Sequence, residues 1–234
     1  MKHPVTLSIS IALAALTSHA LPAVGQIDEQ VFVKDFLLQS SVLVDADGGT
    51  ISTEAFAPRD WYPVQTPSTV LRGLVANGVY PDPYVGMNNM QIPDASDEFN
   101  QKFDLARFSH LPGHVNPWSK PWWYRAEFQV PEVPNGTQVW LNFEGINYRA
   151  DVWLNGHQVA DSAHMVGMFE MFTLPVTEQV RPGRNFLAVK IYPLDTPGLP
   201  ADPQLTVFGP FGPNGGPTGD IGKNVTMQSS AGWV

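Results

Sequence analysis

The sequence predicts an all-β protein, an antiparallel jelly-roll β-sandwich with one short helix and long loops. Three observations carry that expectation. Apolar and polar residues alternate with period two over several short runs, as on half-buried strands. Turn residues recur between those runs, Pro (22) and Gly (20) being frequent. Charged residues make up only 15% of the 234-residue chain, too few for long solvated helices.

The clearest run is 122–130. Trp122, Tyr124, Ala126, Phe128 and Val130 form one face, and Trp123, Arg125, Glu127 and Gln129 the other. Pro134-Asn-Gly136 turns the chain, and Val139, Leu141 and Phe143 make the next buried row. Ala150, Val152 and Leu154 follow on one side of a third strand. Asn155-Gly156 comes immediately after it, the pair preferred where both central residues of a tight hairpin turn need positive φ. Residues 157–160 are the expected return strand, 169–174 another strand, and Pro182-Gly183 the turn into a strand over 185–192. Upstream, 35–44 reads as one strand and Asp47-Gly-Gly49 as a turn. Thr66 and Pro67 are the expected cap and first residue of a helix with Leu71, Leu74 and Val75 as its apolar stripe and Gly78 as its end. Residues 81–121 and 193–222 read as long loops rich in Pro, Gly, Asn and Asp, the kind of segment that carries binding on a rigid scaffold.

Residues 1–25 read as a signal peptide and 26–234 as the folded domain. Lys2 and His3 give a polar start, Val5 to Leu16 an apolar run, and Ser18-His-Ala20 small residues at the cleavage spacing, with cuts after Ala23 or Gly25 as alternatives. A membrane anchor is the competing reading, although the run is short for a span. The expected location is therefore secreted or periplasmic. The net charge is −9, and loss of residues 1–20 removes Lys2 and no acid. So acidic a domain has no electrostatic attraction for nucleic acid or an anionic membrane surface. The chain has no Cys, which excludes disulfides, thiolate metal sites and thiol catalysis.

Sites for chemistry are sparse. Asp45-Ala-Asp47-Gly resembles the opening of a calcium loop, but the twelfth position is Phe56 where a bidentate acid is needed. His110 and His114 are four apart, with Pro112 and Gly113 between them to prevent a ligating helix. No nucleophile elbow or phosphate loop is present, and no cofactor is implied. Tryptophans offer stacking faces for sugars. Trp118, Trp122, Trp123, Trp140, Trp153 and Trp233 serve equally as core, and Trp123, Trp140 and Trp153, on polar strand faces, await cover by a partner domain or a ligand.

Five ordered segments resemble the N-terminal region of glycoside hydrolase family 2. They are Val64-Gln-Thr-Pro-Ser-Thr-Val-Leu71 with Gly78-Val-Tyr-Pro-Asp-Pro-Tyr-Val-Gly-Met-Asn-Asn89, Pro121-Trp-Trp-Tyr-Arg-Ala-Glu-Phe128, Phe143-Glu-Gly-Ile-Asn-Tyr-Arg-Ala-Asp-Val-Trp-Leu-Asn-Gly156, Gly183-Arg-Asn-Phe-Leu-Ala-Val-Lys-Ile-Tyr-Pro-Leu-Asp195, and Ile221-Gly-Lys-Asn-Val-Thr226 to Gly232-Trp233. Within the family the chain is most similar to exo-β-D-glucosaminidases and the β-mannosidase and endo-β-mannosidase group. The resemblance implies a galactose-binding-domain-like jelly roll, followed in the family by an immunoglobulin-like domain and a barrel whose two glutamates hydrolyse β-glycosides with retention. It further implies a β-linked glucosamine or mannose oligosaccharide as partner, with Asp82, Asn88, Asn89 and Trp233 touching the terminal sugar. Those same Asx side chains serve loop ordering equally well. Val234 stands where the family continues with Asp, so the chain is expected to be a fragment that lacks the barrel and is inactive alone. A stand-alone carbohydrate-binding module and a purely structural domain are the rival expectations.

Overall fold

The computed structural model describes residues 7–13, 29–95, 97–134, 136–147, 149–167 and 170–193. The four-stranded sheet runs β2-β1-β6-β9, from β1 (Leu7–Leu13), β2 (Glu29–Phe32), β6 (Thr137–Phe143) and β9 (Phe172–Pro175). The six-stranded sheet runs β4-β3-β5-β10-β7-β8, from β3 (Asp35–Ser40), β4 (Tyr62–Gln65), β5 (Trp122–Val130), β7 (Arg149–Leu154), β8 (His157–Ala160) and β10 (Gly183–Tyr192). Every pairing is antiparallel.

The core lies between the sheets, where the alternating residues place it. Leu38, Tyr124, Ala126, Phe128, Val139, Leu141, Ala150, Val152, Leu154, Leu187 and Val189 are buried in one cluster. Asn155 (φ 51°) and Gly156 (φ 91°) both take positive φ at the β7–β8 turn, as its sequence requires. The Asn155 side chain also accepts from Phe186 N and donates to Asn185 Oδ1, at 2.9 and 2.7 Å, which ties the hairpin to β10.

The outer face of the six-stranded sheet differs from expectation. Trp123 is only 2% exposed, and the cover is the chain itself. Residues 44–61 lie across this face, packing Ile51, Phe56 and Trp61 on Trp123, Trp153 and Ala188. Asp47 ends no hairpin. Its carboxylate accepts from Thr50 N at 2.7 Å and caps α1 (Gly48–Ile51), and that bond holds its pKa below the usual carboxylate range. Gly48 is needed for close approach, since a Cβ there would sit 2.1 Å from the Trp153 ring.

Other boundaries shift for local reasons. The run 35–44 stops being a strand at Ser40, whose hydroxyl accepts from Val42 N and starts a single 3₁₀ turn. Helix α2 (Val70–Ala76) is capped by Thr69, which accepts from Arg72 N at 3.1 Å. Thr66, the cap expected from sequence, instead donates its backbone N–H to Lys34 O, and the Thr66–Pro67 peptide is cis. The loop expected over 81–121 contains α3 (Asp97–Lys102) and four 3₁₀ turns. Leu7–Leu13, read from the sequence as part of a leader outside the fold, forms β1 between β2 and β6. Its Leu7-Ser-Ile-Ser-Ile11 stretch alternates as a strand does. The expected 193–222 loop lies, beyond Pro193, outside the described residues.

Candidate functional site

The 77–121 segment builds the region that holds the sequence-predicted site. Asn77 caps the end of α2, Gly78 (φ 72°) turns the chain, and Tyr80 enters the core. Tyr80 is the centre of an aromatic bolt. Its ring lies 5.3 Å from His110 and 6.0 Å from Trp118, while His110 lies 5.9 Å from Trp122 at the start of β5. Polar bonds fix the orientations. The Tyr80 hydroxyl meets His110 Nδ1 at 2.8 Å, Trp122 Nε1 donates to Pro117 O at 2.9 Å, and Trp118 Nε1 donates to Pro93 O. Burial pushes the His110 pKa down and the Tyr80 pKa up, so both stay neutral near pH 7. Among the described residues, His110 Nε2 is buried and meets no hydrogen-bond partner.

Between Tyr80 and Ile92, themselves both buried, the chain makes a tight external loop. Asp82 Oδ1 accepts from Tyr84 N at 2.9 Å, and Asn88 Nδ2 donates to Asp82 O at 3.0 Å. Backbone bonds Val85 N to Asp82 O, Asn88 N to Val85 O and Met90 N to Met87 O complete it. Asp82 and Asn88 are thus brought together, and both side chains serve loop ordering. Asn89 is exposed and takes no part in this set. Trp233 lies outside the described residues.

Sequence reasoning passed over the residues this loop presents outward. Tyr84 is 95% exposed, Val85 59% and Met87 72%. Their signal was readable: an aromatic and two large apolar residues within a Pro-, Asp- and Asn-rich segment have no fold-internal reason to be there. A rigid loop that shows a phenol, an amide and two apolar side chains can hydrogen-bond and stack on a ligand or seat another domain. Among the described residues, each carboxylate whose pKa is displaced (Asp47, Glu127 and Asp161) is held lower by hydrogen bonds, so none is kept protonated as an acid.

The chain is similar to known proteins. The family described as Glycosyl hydrolase 2 galactose-binding domain-like matches residues 46–112 and 113–233. The exo-β-D-glucosaminidase of Amycolatopsis orientalis is 31% identical over 188 residues, 80% of this chain and 15% of that protein. The mannosylglycoprotein endo-β-mannosidase of Lilium longiflorum is 33% identical over 176 residues, 74% of this chain and 15% of that protein. The crystal structure of the Amycolatopsis orientalis exo-chitosanase superposes with a TM-score of 0.56 at 33% identity, covering 70% of this chain and 16% of that one. The chain therefore spans about 15% of the length of the curated relatives it matches.

Proposed function

Because the chain belongs to the glycosyl hydrolase 2 galactose-binding domain-like family, we propose that it is the sugar-facing first domain of a retaining β-glycosidase of the exo-β-glucosaminidase or β-mannosidase type. The observation that carries this reading is the 80–91 loop. It is bolted to β5 by Tyr80, His110, Trp118 and Trp122, and it projects Tyr84, Met87 and Asn89 away from the sandwich. Its role is to supply one wall of a terminal-sugar pocket, through Asn89 and the Tyr84 ring, with Asp82 and Asn88 shaping the loop beneath them. The opposite wall and the catalytic carboxylates belong to a barrel elsewhere in such a protein.

One wall immobilises a sugar poorly, because few contacts offset the lost freedom of the ligand. The 234-residue chain is expected to turn over no nitrophenyl β-glucosaminide or β-mannoside, and to bind their oligomers no tighter than about millimolar, near −4 kcal/mol. Calorimetry and a chromogenic assay test both statements. Turnover by the pure chain, or micromolar binding, would replace this reading with that of an enzyme or a stand-alone binding module. We also infer that residues 1–25 direct export, on their polar start, apolar run and small residues. N-terminal sequencing of protein recovered outside the cytoplasm should then begin between residues 21 and 26, and a start at Met1 would remove that inference. Cleavage there would take β1 from between β2 and β6.

A further inference from the structure

The outer face of the six-stranded sheet is only partly covered by residues 44–61. Where that cover ends, beside β3 and β4, a pocket of about 670 Å³ opens. That volume is within the range of small-molecule sites. None of its lining residues belongs to the 80–91 loop, so the pocket stands or falls independently of the role given above to that loop.

Its polar groups are fixed before any ligand arrives. Arg184 reaches two acids at once, donating from Nε to Glu127 Oε1 at 2.7 Å and from Nη1 to Glu54 Oε1. Among the described residues, the second oxygen of each of these carboxylates takes no hydrogen bond, which leaves it for another donor. Asp35 accepts from Gln65 Nε2 through Oδ1 at 3.0 Å, and among the described residues its Oδ2 takes no hydrogen bond either. Arg125 is 5% exposed, with its guanidinium between the Phe56 and Phe186 rings at 5.9 and 5.1 Å. It spends two of its five N–H groups on Ile51 O and Thr53 O, and among the described residues no carboxylate is in ion-pair contact with it. Desolvation lowers its pKa, the signature of a cation held out of water.

These groups define the ligand class. Directional donors and acceptors lie side by side, which suits vicinal hydroxyls that both donate and accept. Leu37, Phe56, Pro58 and Pro63 supply apolar wall for a ring's C–H face. Asp35, Glu54 and Glu127 outnumber Arg125 and Arg184, so an anion is disfavoured and a cation favoured. We propose that this pocket binds a pyranose unit, a protonated amino sugar in preference to a neutral or acidic one, between the Arg184-bridged carboxylates and the wall formed by Leu37, Phe56 and Pro58.

The test is an amide chemical-shift titration of the full chain with glucosamine disaccharide, mannobiose and glucuronate. Glucosamine disaccharide should move the amides of residues 54–58, 125–127 and 184–186 with an affinity near millimolar, mannobiose more weakly, and glucuronate not at all. E54Q changes an exposed carboxylate that pairs with Arg184, E54Q/E127Q removes both bridged acids, and an unchanged amide spectrum away from the pocket checks that each variant is folded. Glucosamine binding at these amides should weaken severalfold in the first and about tenfold in the second. Shifts confined to residues 80–91 would overturn the pocket while leaving the loop reading intact. Undiminished binding in E54Q/E127Q, or tighter binding of glucuronate than of glucosamine, would overturn it too.

Discussion

Leu187 on β10 and Ala188 beside it point to opposite faces of the six-stranded sheet, and Arg125 is the cross-strand neighbour of Ala188. Between the sheets Leu187 joins a continuous apolar cluster in which no single contact decides position. On the outer face Arg125 fastens the 44–61 segment through two bonds to particular carbonyls, and on the 77–121 segment Tyr80 and His110 play the same part. The sandwich is thus held by area, which is redundant. The segments laid over it are held by a few directional anchors, which are not. Loss of one group should therefore act globally in the first case and locally in the second.

The strongest break is Leu187→Ala, which empties a fully buried site and is expected to cost about 2–5 kcal/mol by urea denaturation. A cost under about 1 kcal/mol would show that the core collapses around the gap. Next is Gly156→Val at the turn that joins the two regions, where Gly156 N donates to Ser52 Oγ at 3.0 Å. A β-branched residue at φ 91° should cost about 1–3 kcal/mol, and an unchanged midpoint would mean that the turn relaxes to another type. Arg125→Met keeps the apolar stem and strands the carbonyls of Ile51 and Thr53. The expected cost is again about 1–3 kcal/mol, accompanied by faster amide exchange confined to residues 44–61. Uniformly faster exchange across both sheets would erase the distinction between area and anchor.

The smallest effect is a pH dependence. Burial lowers the His110 pKa below its ordinary 6.5, so near pH 6 the unfolded chain binds more protons at this residue than the folded one. Stability from His110 is therefore complete above about pH 6.5 and lost as pH falls through the lowered folded value. The hydrogen-bonded carboxylates Asp47, Glu127 and Asp161 titrate below that window. Thermal melts from pH 7.5 to 5 should show a loss in the native chain that His110→Phe lacks. Equal slopes would remove His110 as the titrating anchor.

The same contrast explains what could be read from sequence. Strands β5, β6, β7 and β10 and the Asn155-Gly156 turn were legible because period-two burial and positive φ leave local marks. The cover over Trp123 was not legible, because Ile51 meets it across some seventy positions of chain with no periodicity to announce the contact. The cap of α2 was misplaced by three residues because Thr66 and Thr69 carry the same hydroxyl, and only the Lys34 carbonyl distinguishes them. Residues 7–13 satisfy two patterns at once, an apolar leader and an alternating strand. Within the candidate site, loop ordering by Asp82 and Asn88 was one of two readings their Asx side chains allowed, and which backbone groups they bond was not legible. The outward Tyr84, Val85 and Met87 carry no periodicity, so their only mark is composition, large apolar residues within a Pro-, Asp- and Asn-rich segment.

Strand β4 forms one margin of the six-stranded sheet, and Pro63 sits in its middle. Because Thr66 N bonds inward to Lys34 O, strict alternation turns the backbone groups of residue 63 outward, away from β3. There proline has no N–H to offer, and its carbonyl is already taken by Asn77 Nδ2 at 3.0 Å. The opposite margin, β8, is four residues long and meets β7 through a register break between Val152 and Trp153. A growing cross-β assembly needs a straight row of vacant donors and acceptors, and neither border of this sheet supplies one. The sheet is finite by construction, so copies crowded together have no template here from which to add strand to strand.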